Sequence, residues 1–205
     1  MLSIKFSFLL MNNQMNRVYI GDLPLNANEV FIEDTLLCDY KGISKIEFFK
    51  KTNDAFCFVT FLSEEMAKKC IKEMNYTKLD LKAIRILPTD NETMDIIRSK
   101  LGNLIIWGID ETIETSQLHD AFSNFGEIIS CKIHMSMKNG KWVSDGYGYI
   151  QFRELQNALK AIKYLIDSKI NDKPFFLCEF NKQSIGFKAF LKTKKKLDLH
   201  IKTTP

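Results

Sequence analysis

Apolar residues follow two rhythms along this chain, alternation and helical spacing, and the two succeed each other in the same order twice. Alternation sends successive side chains to opposite faces of a strand, whereas spacings of three and four build one face of a helix. Alternation predicts a strand over 17–22, broken by Pro24 and Asn26; a helix follows over 29–37 with Phe31, Ile32 and Leu36 inward. Gly42 ends that region, and a second strand runs over 43–50 with Ile46 and Phe48 inward and Lys45, Glu47 and Phe49 outward. A turn at 51–53 leads into a strand over 54–61. Ser63 then suits the N-cap of a helix whose Met66, Ala67, Cys70, Ile71 and Met74 line one face. A strand over 82–87, stopped by Pro88, completes the first unit. The second unit repeats the plan: a strand over 103–108, then a helix over 116–125 that buries Leu118, Ala121, Phe122 and Phe125 and stops at Gly126. A strand over 128–135 turns Cys131 and Ile133 inward and Lys132 and His134 outward; a loop over 136–144, a strand, a helix over 154–166 and a strand over 175–180 follow.

Two stretches stand out inside this repeat. Asp145-Gly146-Tyr147-Gly148-Tyr149-Ile150-Gln151-Phe152 puts Tyr147, Tyr149 and Gln151 on one strand face and Gly148, Ile150 and Phe152 on the other. Asp54-Ala55-Phe56-Cys57-Phe58-Val59-Thr60-Phe61 has the same rhythm, with Phe56 and Phe58 opposite Cys57, Val59 and Phe61. Upstream of each octamer lies a hexamer that reads as its partner strand, Val18-Tyr19-Ile20-Gly21-Asp22-Leu23 and Leu104-Ile105-Ile106-Trp107-Gly108-Ile109. The octamer resembles the signature basic-Gly-aromatic-small-aromatic-aliphatic-any-aromatic of the RNA recognition motif, with Asp54 and Asp145 in place of the basic residue. The repeated order implies an α+β protein of two tandem RNA recognition motif domains, each a ferredoxin-like βαββαβ unit. Its antiparallel four-stranded sheet has two helices on one face and an open face carrying exposed aromatics. The expected layout is a disordered segment 1–16, a first motif over 17–88, a linker over 89–102, a second motif over 103–181 and a basic tail over 182–205.

A closer resemblance rests on Gly102 to Asp110, Leu118, Phe122, Phe125-Gly126, Ile129 to Ile133 and Ser144 to Tyr149, which are similar to the second motif of cytoplasmic poly(A)-binding proteins. Val18 to Leu23, Met74-Asn75-Tyr76 and Arg85-Ile86 are similar to their first motif. The likeness implies a trough for adenine-rich single-stranded RNA, with bases stacked on sheet aromatics. It also implies translation-initiation or mRNA-processing proteins as partners on the helical face, a monomer, and a cytoplasmic location that extends to the nucleus. Departures are concentrated among the cations. Both octamers open on Asp, the second hexamer has Ile105 where an aromatic is usual and Trp107 where a lysine is usual, and Glu179 occupies a basic position.

Charge sharpens this picture. The net charge of +4 conceals a neutral first unit (17–88), a second of −2 (103–180) and a tail (181–205) of +6. Phosphate neutralisation dominates nucleic-acid affinity, so the folded bodies offer little of it overall. Five scattered cysteines, none in a Cys-x-x-Cys pair, argue against zinc and against a disulfide framework and suit a reducing compartment. No cofactor, metal or membrane span is expected. His119, His134 and His200 are far apart in the predicted fold, and no nucleophile–base arrangement appears, so no enzymatic activity is expected.

The candidate RNA-binding residues are the stackers Tyr19, Phe56, Phe58, Tyr147 and Tyr149. Trp107 joins them as a stand-in for the missing hexamer aromatic, and Lys45, Arg85, Lys132 and His134 as polar contacts. The alternative is a protein-interaction module: Asp54, Asp145 and Glu179 favour it, and the paired aromatics favour RNA. Lys192 and Lys194-Lys195-Lys196 would add affinity of no sequence preference. Removing residues 185–205 is therefore expected to weaken binding to every RNA by a similar factor and to flatten the salt dependence. An unchanged slope in a salt titration would assign the tail to solubility instead.

Overall fold

The structure is a computed structural model that describes residues 15–180 except 53, 80, 167 and 172. The expected basic tail and residues 1–14 of the expected disordered segment lie outside the described residues. The rest gathers into two compact units: one runs to Asn75 and takes in Ile86–Asp95, and the other comprises Tyr76–Arg85 and the chain from Ile96 onward.

The first sheet is built from β1 (Arg17–Gly21), β2 (Ile43–Lys51), β3 (Asp54–Phe61) and, after a two-residue pair β4 (Lys78–Leu79) with β5 (Lys82–Ala83), β6 (Arg85–Pro88). Its order is β2-β3-β1-β6, which places β3 and β1 at the centre. Alternation does what the sequence pattern predicts: Val18, Ile20, Cys57, Val59 and Phe61 are fully buried on one face. The helices that cover them are α1 (Glu29–Phe31) and α2 (Glu64–Met74). Asn28 and Ser63 cap them, accepting hydrogen bonds from the Phe31 and Met66 backbone N–H groups at 2.8 and 3.3 Å.

The second sheet joins β7 (Asn103–Trp107), β8 (Ile128–Lys138), β9 (Lys141–Phe152) and β12 (Phe176–Glu179) in the order β12-β7-β9-β8. Two short strands, β10 (Lys169–Ile170) and β11 (Lys173–Pro174), pair separately. Its core holds Leu104, Ile106, Cys131, Ile133, Ile150 and Phe152 from the sheet against Leu118, Phe122, Ala158 and Ala161 from α4 (Thr115–Ser123) and α5 (Leu155–Tyr164). Burial pushes the Cys57, Cys70 and Cys131 thiols up to about 12, so these three act as small apolar core residues.

Several expectations need correction. Asn16, placed in the disordered segment, accepts from Phe61 N–H at 2.8 Å and donates to the Phe61 carbonyl, so it prolongs β1 alongside β3. The first helix widens after one turn into a π-helical segment (Ile32–Leu36), closed by a bond from Leu37 N–H to the Ile32 carbonyl, which buries Leu36 and Leu37 together. The strand expected over 82–87 is divided between β5 and β6. Ala121, expected in the core, is exposed, since Leu118 and Phe122 fill the inward face of α4.

The segment 89–102, read as a linker, contains the nine-residue helix α3 (Asn91–Ser99). Asp90 initiates it by accepting from Thr93 N–H at 2.8 Å, and Thr93 and Met94 are buried. The stretch 136–144, expected as a loop, is instead a hairpin arm in which Ser136 pairs with Val143 and Lys138 with Lys141. Asn139 and Gly140 turn it, both at positive φ (50° and 75°), the backbone that a two-residue hairpin turn requires.

Gly148 explains why the octamer needs a small residue at its fourth position here. A Cβ at Gly148 would lie 2.6 Å from the Lys132 carbonyl oxygen and 3.1 Å from Ile109 Cδ1. Gly148→Ala is expected to lower the stability of the second unit by about 1–3 kcal/mol through overpacking. Both tryptophans, Trp107 and Trp142, belong to that unit, so tryptophan fluorescence during urea unfolding reports on it selectively. An unchanged midpoint would mean that β8 and β9 can spread apart without cost.

Candidate nucleic-acid interface

The face of the first sheet away from its helices is an aromatic cluster. Register sets Tyr19 opposite Phe58 and Phe49 opposite Phe56, so all four rings rise from one face. Tyr19 lies 5.7 Å from both Phe56 and Phe58, and Phe49 stacks on Phe56 at 5.2 Å with 15° between planes. Gly21 leaves room for this packing, because a Cβ there would meet the Tyr19 ring. Phe56 and Phe58, expected to be exposed, are only 4% and 5% exposed. Among the groups over them are Phe49, the Arg17 guanidinium 4.4 Å from the Phe58 centroid, and the Lys51 ammonium 5.4 Å from that of Phe56. Glu47 joins Arg17 at 2.7 Å and Lys45 at 3.1 Å. Arg85 begins β6, half-buried. Arg17, Phe49 and Lys51 were not among the sequence candidates. The cross-strand register of β2 with β3 is the signal that brings Phe49 and Lys51 in.

In the second sheet, Tyr147 sits opposite Trp107, and Tyr149 opposite Ile105 and Lys132. Trp107 thus shares the tyrosine face, but it is only 7% exposed and packs 5.8 Å from Phe176. Tyr149 meets Tyr147 edge-on at 5.9 Å and Phe180 at 5.7 Å; Lys100 stands 5.2 Å from the Phe180 centroid. Burial, chiefly, raises both phenol pKa values, so these rings stay neutral. Lys132 is half-buried beside Tyr149.

A polar row adjoins Tyr147. His134, Ser136 and Lys138 alternate along β8 and therefore share a face, which is where Asp145 arrives from β9. Asp145 Oδ1 accepts from Ser136 Oγ at 2.7 Å and Lys138 Nζ at 2.9 Å, and Oδ2 lies 2.8 Å from His134 Nδ1. The hydrogen bonds from Lys138, Ser136 and His134, in that order, hold the Asp145 carboxyl down at about 2. Gly146, at φ 74°, lies within an irregularity of the β8–β9 register that re-aims the chain beside this row. The His134 ring stacks on Tyr147 at 4.6 Å with 15° between planes. Ser136 and Lys138 escaped the sequence reading because their stretch was taken for a loop; Asn139-Gly140 was the available signal.

Each unit thus presents aromatic rings and cations on the sheet face opposite its helices. Among the described residues there is no His/Cys/Asp/Glu group that could hold a metal ion, and no helix long and apolar enough to cross a membrane.

The RNA recognition motif matches this chain twice, over residues 18–85 and 104–175. Polyadenylate-binding protein 2 of Arabidopsis thaliana is 31% identical over 185 residues, which are 86% of this chain and 28% of that protein. The polyadenylate-binding protein, cytoplasmic and nuclear, of Encephalitozoon cuniculi is 32% identical over 71% of this chain and 28% of its own length. The chain therefore spans under a third of the length of these curated relatives. Among solved structures, a chain of the rna15, hrp1, anchor RNA 3′ processing ternary complex shares the fold with a TM-score of 0.59 and 18% identity, over 80% of this chain and 95% of that one. With both units matched and both sheets assembled in the same order, this chain belongs to the RNA recognition motif family, carries two copies of the motif, and is similar across them to polyadenylate-binding proteins.

Proposed function

We propose that this protein binds single-stranded RNA on the open faces of its two sheets, with adenine-rich strands as target and mRNA stability, translation or processing as setting. One observation carries the reading: both units gather aromatic rings on the central strands of that face, Tyr19, Phe56 and Phe58 in one and Tyr147 and Tyr149 in the other. A base stacked on such a ring contributes roughly 1–3 kcal/mol and needs no particular sequence. The preference for adenine is supported by the likeness to polyadenylate-binding proteins. The same likeness supports a cytoplasmic and nuclear location and translation-initiation or mRNA-processing proteins as partners on the helical face of a monomer.

The cover over the first platform fits this reading. Arg17 and Lys51 lie on rings that a base would occupy. An arriving base displaces each cation from its ring toward the phosphates of the same strand, exchanging a cation–π contact for a charge-assisted one. The second unit lacks a basic octamer residue, but Lys138 offsets the charge of Asp145, so that carboxylate does not face the RNA unpaired.

Phe58→Ala and Tyr149→Ala are each expected to weaken binding of an adenine homopolymer by roughly tenfold. In a competition of the four homopolymers at one fixed salt concentration, the adenine strand is expected to win. If both variants stay folded and bind RNA as the parent does, the sheet faces are not the RNA surface and the protein-interaction reading takes over.

A further inference from the structure

His134 carries chemistry that base stacking does not use. Its ring is fixed on two sides, by the face of Tyr147 at 4.6 Å and by the Asp145 carboxylate 2.8 Å from Nδ1. Asp145 is held in turn by Ser136 and Lys138 on its other oxygen, so it has little freedom to turn away. An ionised carboxylate only accepts hydrogen bonds. The atom that faces it across 2.8 Å must therefore carry the proton, and in a neutral imidazole that leaves Nε2 as a bare acceptor. Nε2 makes no hydrogen bond among the described residues, and the His134 side chain is 42% exposed.

We infer that His134 is a base-reading residue of the second motif, with Asp145 as the positioning residue that fixes its tautomer, so that Nε2 selects a base bearing an exocyclic amine at the position stacked beside Tyr147. Adenine and cytosine carry such an amine and donate to Nε2. Uracil presents a carbonyl oxygen there and sets lone pair against lone pair. The octamer's acidic residue then has a purpose that a basic residue at position 145 could not serve, since a cation would not accept the Nδ1 proton. This inference rests on the proposed RNA binding and adds discrimination to it.

The test uses the full chain and labelled adenine and uracil homopolymers at one salt concentration and one alkaline pH. His134→Phe keeps an aromatic ring on Tyr147 and removes both nitrogens. It is expected to bind the adenine strand less tightly than the parent does, to relieve the lone-pair opposition to uracil, and so to lower the adenine-to-uracil preference about three- to tenfold, the range of one net hydrogen bond. Asp145→Asn, which releases the tautomer, is expected to lower the preference in the same direction. Long-range proton–nitrogen NMR of the free protein reads the tautomer itself and is expected to place the proton on Nδ1 in the parent and to show a mixture in Asp145→Asn. A proton on Nε2 in the parent, or an unchanged preference in His134→Phe, would overturn the inference while leaving RNA binding intact. Loss of all RNA binding by the parent would overturn the proposed function and this inference with it.

Discussion

Each unit depends on the antiparallel pairing of its two central strands. Once Tyr19 is set opposite Phe58, or Ile105 opposite Tyr149, the two-residue period of a strand decides the fate of every other side chain nearby. Val18, Ile20, Val59 and Phe61 go under the helices, as do Leu104, Ile106, Ile150 and Phe152, and all are fully buried. Tyr19, Phe56, Phe58, Tyr147 and Tyr149 go to the other side. A slip of one residue would exchange the two sets, placing aliphatic side chains on the open face and tyrosines in the core. Open face and core are thus specified by one register.

This explains how much could be read from residues alone. Both sheets, the inward and outward sets of their central strands, and the Ser63 cap were legible because alternation and capping are local rules. What escaped depended on neighbours distant in sequence. The two phenylalanines of the first octamer are not bare, because Phe49 and Lys51 from β2 and Arg17 from β1 lie over them, and no local pattern announces that cover. Helix α3 was hidden by the polar look of Thr89 to Asn91, although Asp90 three residues before Thr93 was a usable cap signal. Ala121 was assigned inward by spacing, while the inward arc of α4 is already filled by Leu118 and Phe122.

Charge on these faces is organised locally. Counting residues gave a neutral first unit and an acidic second one, which suggested surfaces poor for phosphate. The arrangement is more selective than the count. Glu47 is held between Arg17 and Lys45, and Asp145 among Lys138, Ser136 and His134. These carboxylates tie down side chains beside the rings, so their effect is to fix positions as much as to subtract charge.

The hairpin arm of β8 and β9 also sets the order in which the second sheet is easiest to assemble. Its turn closes over only two residues, Asn139 and Gly140, between the paired Lys138 and Lys141. The pairing of Trp107 with Tyr147 must instead close a loop of about forty residues, and loop-closure entropy grows with the logarithm of length, a difference of roughly 2 kcal/mol. Pairing of β8 with β9 therefore carries the smaller entropic cost and is the easier of the two to form first. It hands β7 a finished edge, with Tyr147 and Tyr149 already facing one way before their partner strand arrives.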